Sequence, residues 1–132
     1  MTISDAFVEI HAVKDGSDQR KIPTAWRPVL EKVVRAFAEG DYLLAEGLPG
    51  VEAISLETAA HIRAALSNYG AKLTVLPSEA WESSVCMWYG TYWDAMIDLW
   101  TVSEGPSDLV LSVRVHEASD GFSFKIQMVY VP

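Results

Sequence analysis

From Trp93 to Trp100 the chain reads WDAMIDLW: Trp93, Ala95, Ile97 and Leu99 share one parity, and Asp94 and Asp98 fall on the other. A period of two belongs to a β-strand half-buried against a core, because successive side chains point to opposite sides of a sheet. No other feature limits the fold as strongly. A strand with one dry face needs neighbours of the same phase and a layer to cover it. The same alternation predicts strands at about 84–89, 92–102, 109–117 and 122–131.

Turn chemistry supplies part of the register. Gly90-Thr91 suits a two-residue, glycine-first hairpin, which pairs Tyr89 with Tyr92, Trp88 with Trp93, Met87 with Asp94 and Cys86 with Ala95. The connection ASDG (118–121) pairs Glu117 with Phe122, Val115 with Phe124, Val113 with Ile126 and Leu111 with Met128. The segment SEGPS does not set its own register. Matching the apolar faces predicts Ala95 opposite Val115, Ile97 opposite Val113 and Leu99 opposite Leu111, since a slip of one residue would turn every apolar side chain outward. That register places Asp94 opposite His116, Met96 opposite Arg114, and Asp98 opposite Ser112. The two aspartates then look out from the side away from the core. Trp100, Val110, Val129 and Val131 gather at one end of that outer side.

Upstream of the strands the period changes. Trp26, Leu30, Val33, Val34 and Phe37 form a single helical stripe, with Thr24 as the predicted N-cap and Gly40 past the end. A second helix is predicted from Ser55 to Gly70, turning Ala59, Ile62, Leu66 and Tyr69 inward. AKLTVL (71–76) reads as a strand, PSEAWESS as a turn or single helical turn opened by Ser78, and AFVEIHAV (6–13) as a possible edge strand. The expected fold is α+β, two N-terminal helices on one face of a four- to five-stranded antiparallel meander. At 132 residues the chain is expected to form one domain over 23–132, preceded by a peripheral segment 1–22.

Charge narrows the partners. The net charge is −8, and from residue 36 onward 13 acidic side chains face only Arg63, Lys72, Arg114 and Lys125. Such a surface repels phosphate backbones and excludes nucleic acid, whereas it suits a basic protein. The linker 39–54, with Asp41 and Glu46, is long enough to be a contact loop. No stretch approaches the ~20 apolar residues that a membrane-spanning helix needs. The N-terminus lacks the basic and apolar regions of a signal peptide, which points to the cytoplasm. Cys86 is the only cysteine, so no internal disulfide forms.

Chemistry-bearing motifs are scarce. Asp94, His116 and Ser123 fall in a row across three strands in the predicted register, but a flat row offers neither an oxyanion hole nor exclusion of water. His11, His61 and His116 are scattered, and Glu57 with His61 makes at most half a metal site. There is no Gly-x-Ser-x-Gly, Cys-x-x-Cys, phosphate loop or dinucleotide fingerprint, so no catalytic residue, metal or cofactor is assigned. The stretches IPTAWRPVLEKVVRAFAEGDY, SLETAAHIRAALSNYG, SVCMWYGTYWDAMIDLWT, EGPSDLVLSVRV and MVYVP together resemble a family of small bacterial proteins of unknown function, over residues 22–132. That resemblance implies a helical N-terminal part on a Trp-rich sheet and carries over no catalytic residue. In type alone the chain is similar to acidic immunity and antitoxin proteins.

The function expected from the residues is therefore a non-enzymatic protein-binding module. It would use Asp94, Asp98, Trp100, Val110, Arg114, His116 and Val129 on the outer sheet side, with Asp41 and Glu46 in the loop. Its partner would be a basic protein such as a toxin. The alternatives are self-association through the same side and a small-ligand or enzymatic site at Asp94 and His116.

Overall fold

The inward parity of the strands is completed by helices on one side only. The computed structural model describes residues 8–132. Its elements, in chain order, are β1 (Arg20–Lys21), α1 (Arg27–Ala38), α2 (Leu56–Tyr69), α3 (Ala80–Ser83), β2 (Val85–Trp88), β3 (Trp93–Thr101), β4 (Gly105–Ala118) and β5 (Gly121–Tyr130). The strands form one open, all-antiparallel sheet in the order β1-β2-β3-β4-β5. The fold is α+β, as expected.

The stripe on α1 buries Leu30, Val33, Val34 and Phe37 to 1% exposure or less. A 3-10 turn at Thr24–Trp26 leads into it. Thr24 is not the N-cap; its hydroxyl accepts from the Ile10 amide (2.8 Å) and so ties the N-terminal segment to the helix. The second helix follows its predicted bounds, with the Ser55 hydroxyl accepting from Thr58 N–H and Gly70 in the left-handed C-cap. AKLTVL is not a strand. It makes one antiparallel bridge, Leu73 to Thr101, flanked by hydrogen bonds from Thr74 N–H to Trp100 and from Val102 N–H to Lys72. PSEAWESS contains the single turn α3, which Ser78 does not cap. Of the possible strand 6–13, residues 6 and 7 lie outside the described residues and 8–13 take no strand conformation; the edge strand is β1 instead.

Two bulges reset the register. The Gly90-Thr91 hairpin pairs as predicted, from Trp88–Trp93 to Cys86–Ala95. The β3–β4 pairing is shifted by two residues: Asp94 stands opposite Arg114, Met96 opposite Ser112, Ile97 opposite Leu111 and Asp98 opposite Val110. A shift of two preserves every face, so face matching alone does not select between these registers. The turn does. Gly105, at φ +74°, pairs with Thr101 across a three-residue loop, and Glu104 and Thr101 hydrogen-bond to each other within it. Next to it β4 bulges, with Ser107, Asp108 and Leu109 standing against the single Leu99, and the Ser107 hydroxyl donates to the Leu99 carbonyl (2.7 Å).

The second bulge lies in β5, where Val113 pairs with Ile126 but Ser112 already pairs with Met128, leaving Gln127 as the extra residue. The parity of the C-terminal strand therefore flips. Val129, expected on the outer side, turns inward and is 1% exposed, and Met128, expected inward, turns outward at 37%. Accordingly, Val129→Lys is expected to destabilise the fold by at least ~3 kcal/mol by burying an unpaired charge, while Met128→Lys changes it by less than about 1 kcal/mol. Urea unfolding of the two variants checks this, and the reverse ranking would place the bulge elsewhere.

Candidate functional site

With the helices on one side, the opposite side of the sheet carries Met87 on β2, Asp94, Met96 and Asp98 on β3, Ser112 and Arg114 on β4, and Lys125 and Met128 on β5. The helices bury the other side, and at the β5 edge Glu57, Thr58 and His61 of α2 share a cleft of about 270 Å³ with Gln127 and Met128. Residues 10–16 run over the other side: Trp93 Nε1–H donates to the Val13 carbonyl (3.0 Å), and Lys14 pairs with Glu117 at 2.6 Å while lying over the Trp88 ring.

Most outward side chains are half-buried by one another rather than by a covering layer. Arg114 spreads its guanidinium over the Tyr92 ring, 4.1 Å from the centroid, and its Nε–H is buried without an acceptor. A cation over an aromatic face is worth about 0.5–2 kcal/mol, so this contact holds Arg114 flat on the sheet. His116 stands opposite Ser123 with its ring 5.8 Å from Tyr92. Asp94 faces Met87 on one side and Arg114 on the other. Val110 is 7% exposed and lies outside the main core, against Asp98 and Tyr130 in the pairing. Trp100 is half-buried over Gly105, where a Cβ would stand 3.5 Å from its ring. The row Asp94–His116–Ser123 is not assembled, because the shifted register puts Arg114 where His116 was expected.

The linker of residues 39–54 does two things. Val51 bridges Phe124 in parallel, with Glu52 N–H donating to the Phe124 carbonyl and Phe124 N–H to the Gly50 carbonyl, each at 2.8 Å. These bonds occupy part of the β5 edge that would otherwise stand open to strand addition. Gly50 is needed there, at φ +80° and with a Cβ position only 3.2 Å from the Phe122 carbonyl. The rest of the linker bows outward around a shallow cleft of about 510 Å³ lined by Leu43, Leu44, Glu46, Leu48, Val51 and Glu52. Asp41 caps the linker's first turn, its carboxylate accepting from Ala45 N–H at 3.1 Å, and Glu46 is exposed. A second cleft, about 320 Å³, lies between the C-terminal ends of α1 and α2 and is rimmed by Tyr42, Arg63, Ser67 and Lys72. Both clefts are lined by helix and linker residues, none of them outward residues of the sheet.

No group of three or more His, Cys, Asp or Glu among the described residues is placed to hold a metal. No described helix is long and apolar enough to cross a membrane. Cys86 faces the core, its thiol against the Lys21 carbonyl (3.7 Å), and burial pushes its pKa up from 9.0 to about 11. A raised pKa keeps the unreactive thiol form. Burial of the neutral thiol therefore stabilises the fold fully below about pH 9, and that contribution is lost as pH rises towards 11. Cys86 is expected to react with a disulfide reagent in mildly alkaline buffer at least ~100-fold more slowly in the native chain than in denaturant; equal rates would place it at the surface.

No curated protein and no solved structure matches the chain. A family model does match, over residues 34–132, from the middle of α1 through the whole of β2–β5 and the outer surface that they build. The first half of α1, which the sequence resemblance over 22–132 took in, falls outside the match, and β1 lies outside both. That span is most of the chain, and the protein belongs to the family described as domain of unknown function DUF7668.

Proposed function

We propose that the chain is a non-enzymatic protein-binding module that works through the outer side of its sheet. One observation carries this reading: the side of the sheet that turns away from the helical core is rich in methionine and aromatic side chains. An antiparallel sheet that faces water on one side normally alternates apolar-in with polar-out. Here the outward positions hold Val85, Met87, Met96, Val110, Met128 and Tyr130 beside a few charges. Contiguous apolar surface with a charged rim is the anatomy of a contact site. Flexible thioethers among aromatics also let such a surface adapt to its partner. A ligand or enzymatic site at Asp94 and His116 has less in its favour, because the two are not cross-strand partners and neither lines the linker cleft or the cleft between the helices.

The test uses the central outward residue. Met96→Lys is expected to leave the melting curve within a few degrees of wild type and to weaken capture of a protein partner from source-cell lysate by ~2 kcal/mol or more. A variant that captures as well as wild type would reject the outer surface as the working one.

A second reading, an immunity- or antitoxin-like protein that neutralises a basic partner, is favoured by a separate observation. Glu39, Asp41, Glu46, Glu52 and Glu57 follow one another without a Lys or Arg among them, alongside the linker's cleft. On that reading the module acts in the bacterial cytosol, and binding falls steeply with salt. Glu46→Lys with Glu52→Lys is then expected to slow association at least ~10-fold, with Met96→Lys silent; the opposite pattern favours the sheet.

A further inference from the structure

We infer that the occupant of the outer sheet surface is a second copy of this chain, related to the first by a two-fold axis. The inference rests on the reading of that surface as a protein-binding site and names its partner. The chain carries a net charge of −8, and two such chains repel one another wherever their acidic surfaces meet. On the outer side that repulsion is offset. Its outward positions on β3, β4 and β5 carry two acids, Asp94 and Asp98, and two bases, Arg114 and Lys125, with Asp94 directly across from Arg114. Lys21 on the edge strand is outward in register as well, but its ammonium is held by the Glu82 carbonyl (3.0 Å).

These four charges are unspent within the chain. Among the described residues none of them makes an ion pair, although Asp94 and Arg114 are direct cross-strand partners. Arg114 lies instead on Tyr92 with its Nε–H unpartnered. That donor is shielded from solvent, so what a partner carboxylate can meet is the rest of the guanidinium, which makes no ion pair among the described residues.

The register then decides the geometry. Because Asp94 and Arg114 stand at the same level on neighbouring strands, a two-fold axis running along the strands between β3 and β4 exchanges the two. Asp94 then stands above the partner's Arg114, and the reverse contact forms at the same time, which is the self-complementarity that an isologous interface requires. Sheets stacked face to face lie roughly 10 Å apart. Met87, Met96 and Met128 are long and pliable enough to fill such a gap from both sides.

The full chain in sedimentation velocity, from micromolar to submillimolar concentration, is expected to show a monomer–dimer equilibrium. Asp94→Arg and Arg114→Asp are each expected to weaken dimerisation at least ~100-fold, and an equimolar mixture of the two variants to restore it, because each supplies the charge that the other has lost. Restoration is a result that misfolding of either variant cannot produce, and Met96→Lys gives a second monomeric form whose melting curve matches that of the wild type at dilutions where the wild type is monomeric. A wild-type chain that stays monomeric at the highest concentration overturns the inference, as does a mixture that associates no better than its components. If the wild type is monomeric while Met96→Lys still loses a captured protein, the surface serves a different partner: the binding-module reading stands and the second copy does not.

Discussion

The indole of Trp26 determines which side of the sheet is dry. It is fully buried where the N-terminal turn enters α1, and it meets Trp93 edge to face at 5.5 Å, with Phe122 at 5.4 Å and Phe124 at 6.1 Å. Each such contact adds ~0.5–1.5 kcal/mol to the burial of the rings themselves. Once Trp93 is locked inward, the pleat leaves no choice for the rest of its strand: Ala95 and Ile97 must follow it, and Asp94, Met96 and Asp98 must point away. The direction of the outer side is thus a consequence of an aromatic cluster on the opposite side. The N-terminal segment strengthens the same cluster by accepting a hydrogen bond from Trp93 at Val13.

Charge is partitioned along the same division. Much of the excess acid lies in the 39–57 region and at the strand ends, where it sets the chain's long-range field. The outer sheet surface is balanced instead, two acids against two bases, with apolar side chains between. The two proposed readings assign these regions different partners, a cation-rich protein to the linker and a mixed, adaptable surface to the sheet. Their separation is what allows the two readings to be told apart by substitution.

Face assignment was legible in the sequence because it depends only on parity, which WDAMIDLW and LVLSVRV state without ambiguity. The Gly90-Thr91 hairpin and the helix from Ser55 to Gly70 were legible for a local reason, since each is set by a cap or turn residue within reach of its own backbone. What escaped depends on distant partners. A two-residue shift changes no face, so the pairing of Asp94 with Arg114 needed the left-handed Gly105 to be recognised as part of the hairpin. The bulge at Gln127 has no glycine or proline to announce it, and it moved Val129 out of the candidate site and Met128 into it. Thr24 looked like a cap because the residue that uses its hydroxyl, Ile10, lies fourteen positions upstream.

The most direct test of the account is the rate at which peroxide oxidises individual methionines in the folded chain, read by mass spectrometry as a function of protein concentration. Oxidation needs access to the thioether. The account predicts that Met87, Met96 and Met128 are oxidised readily in dilute solution and become protected together as concentration rises. Met96 shielded at every dilution, as a core residue would be, would contradict it.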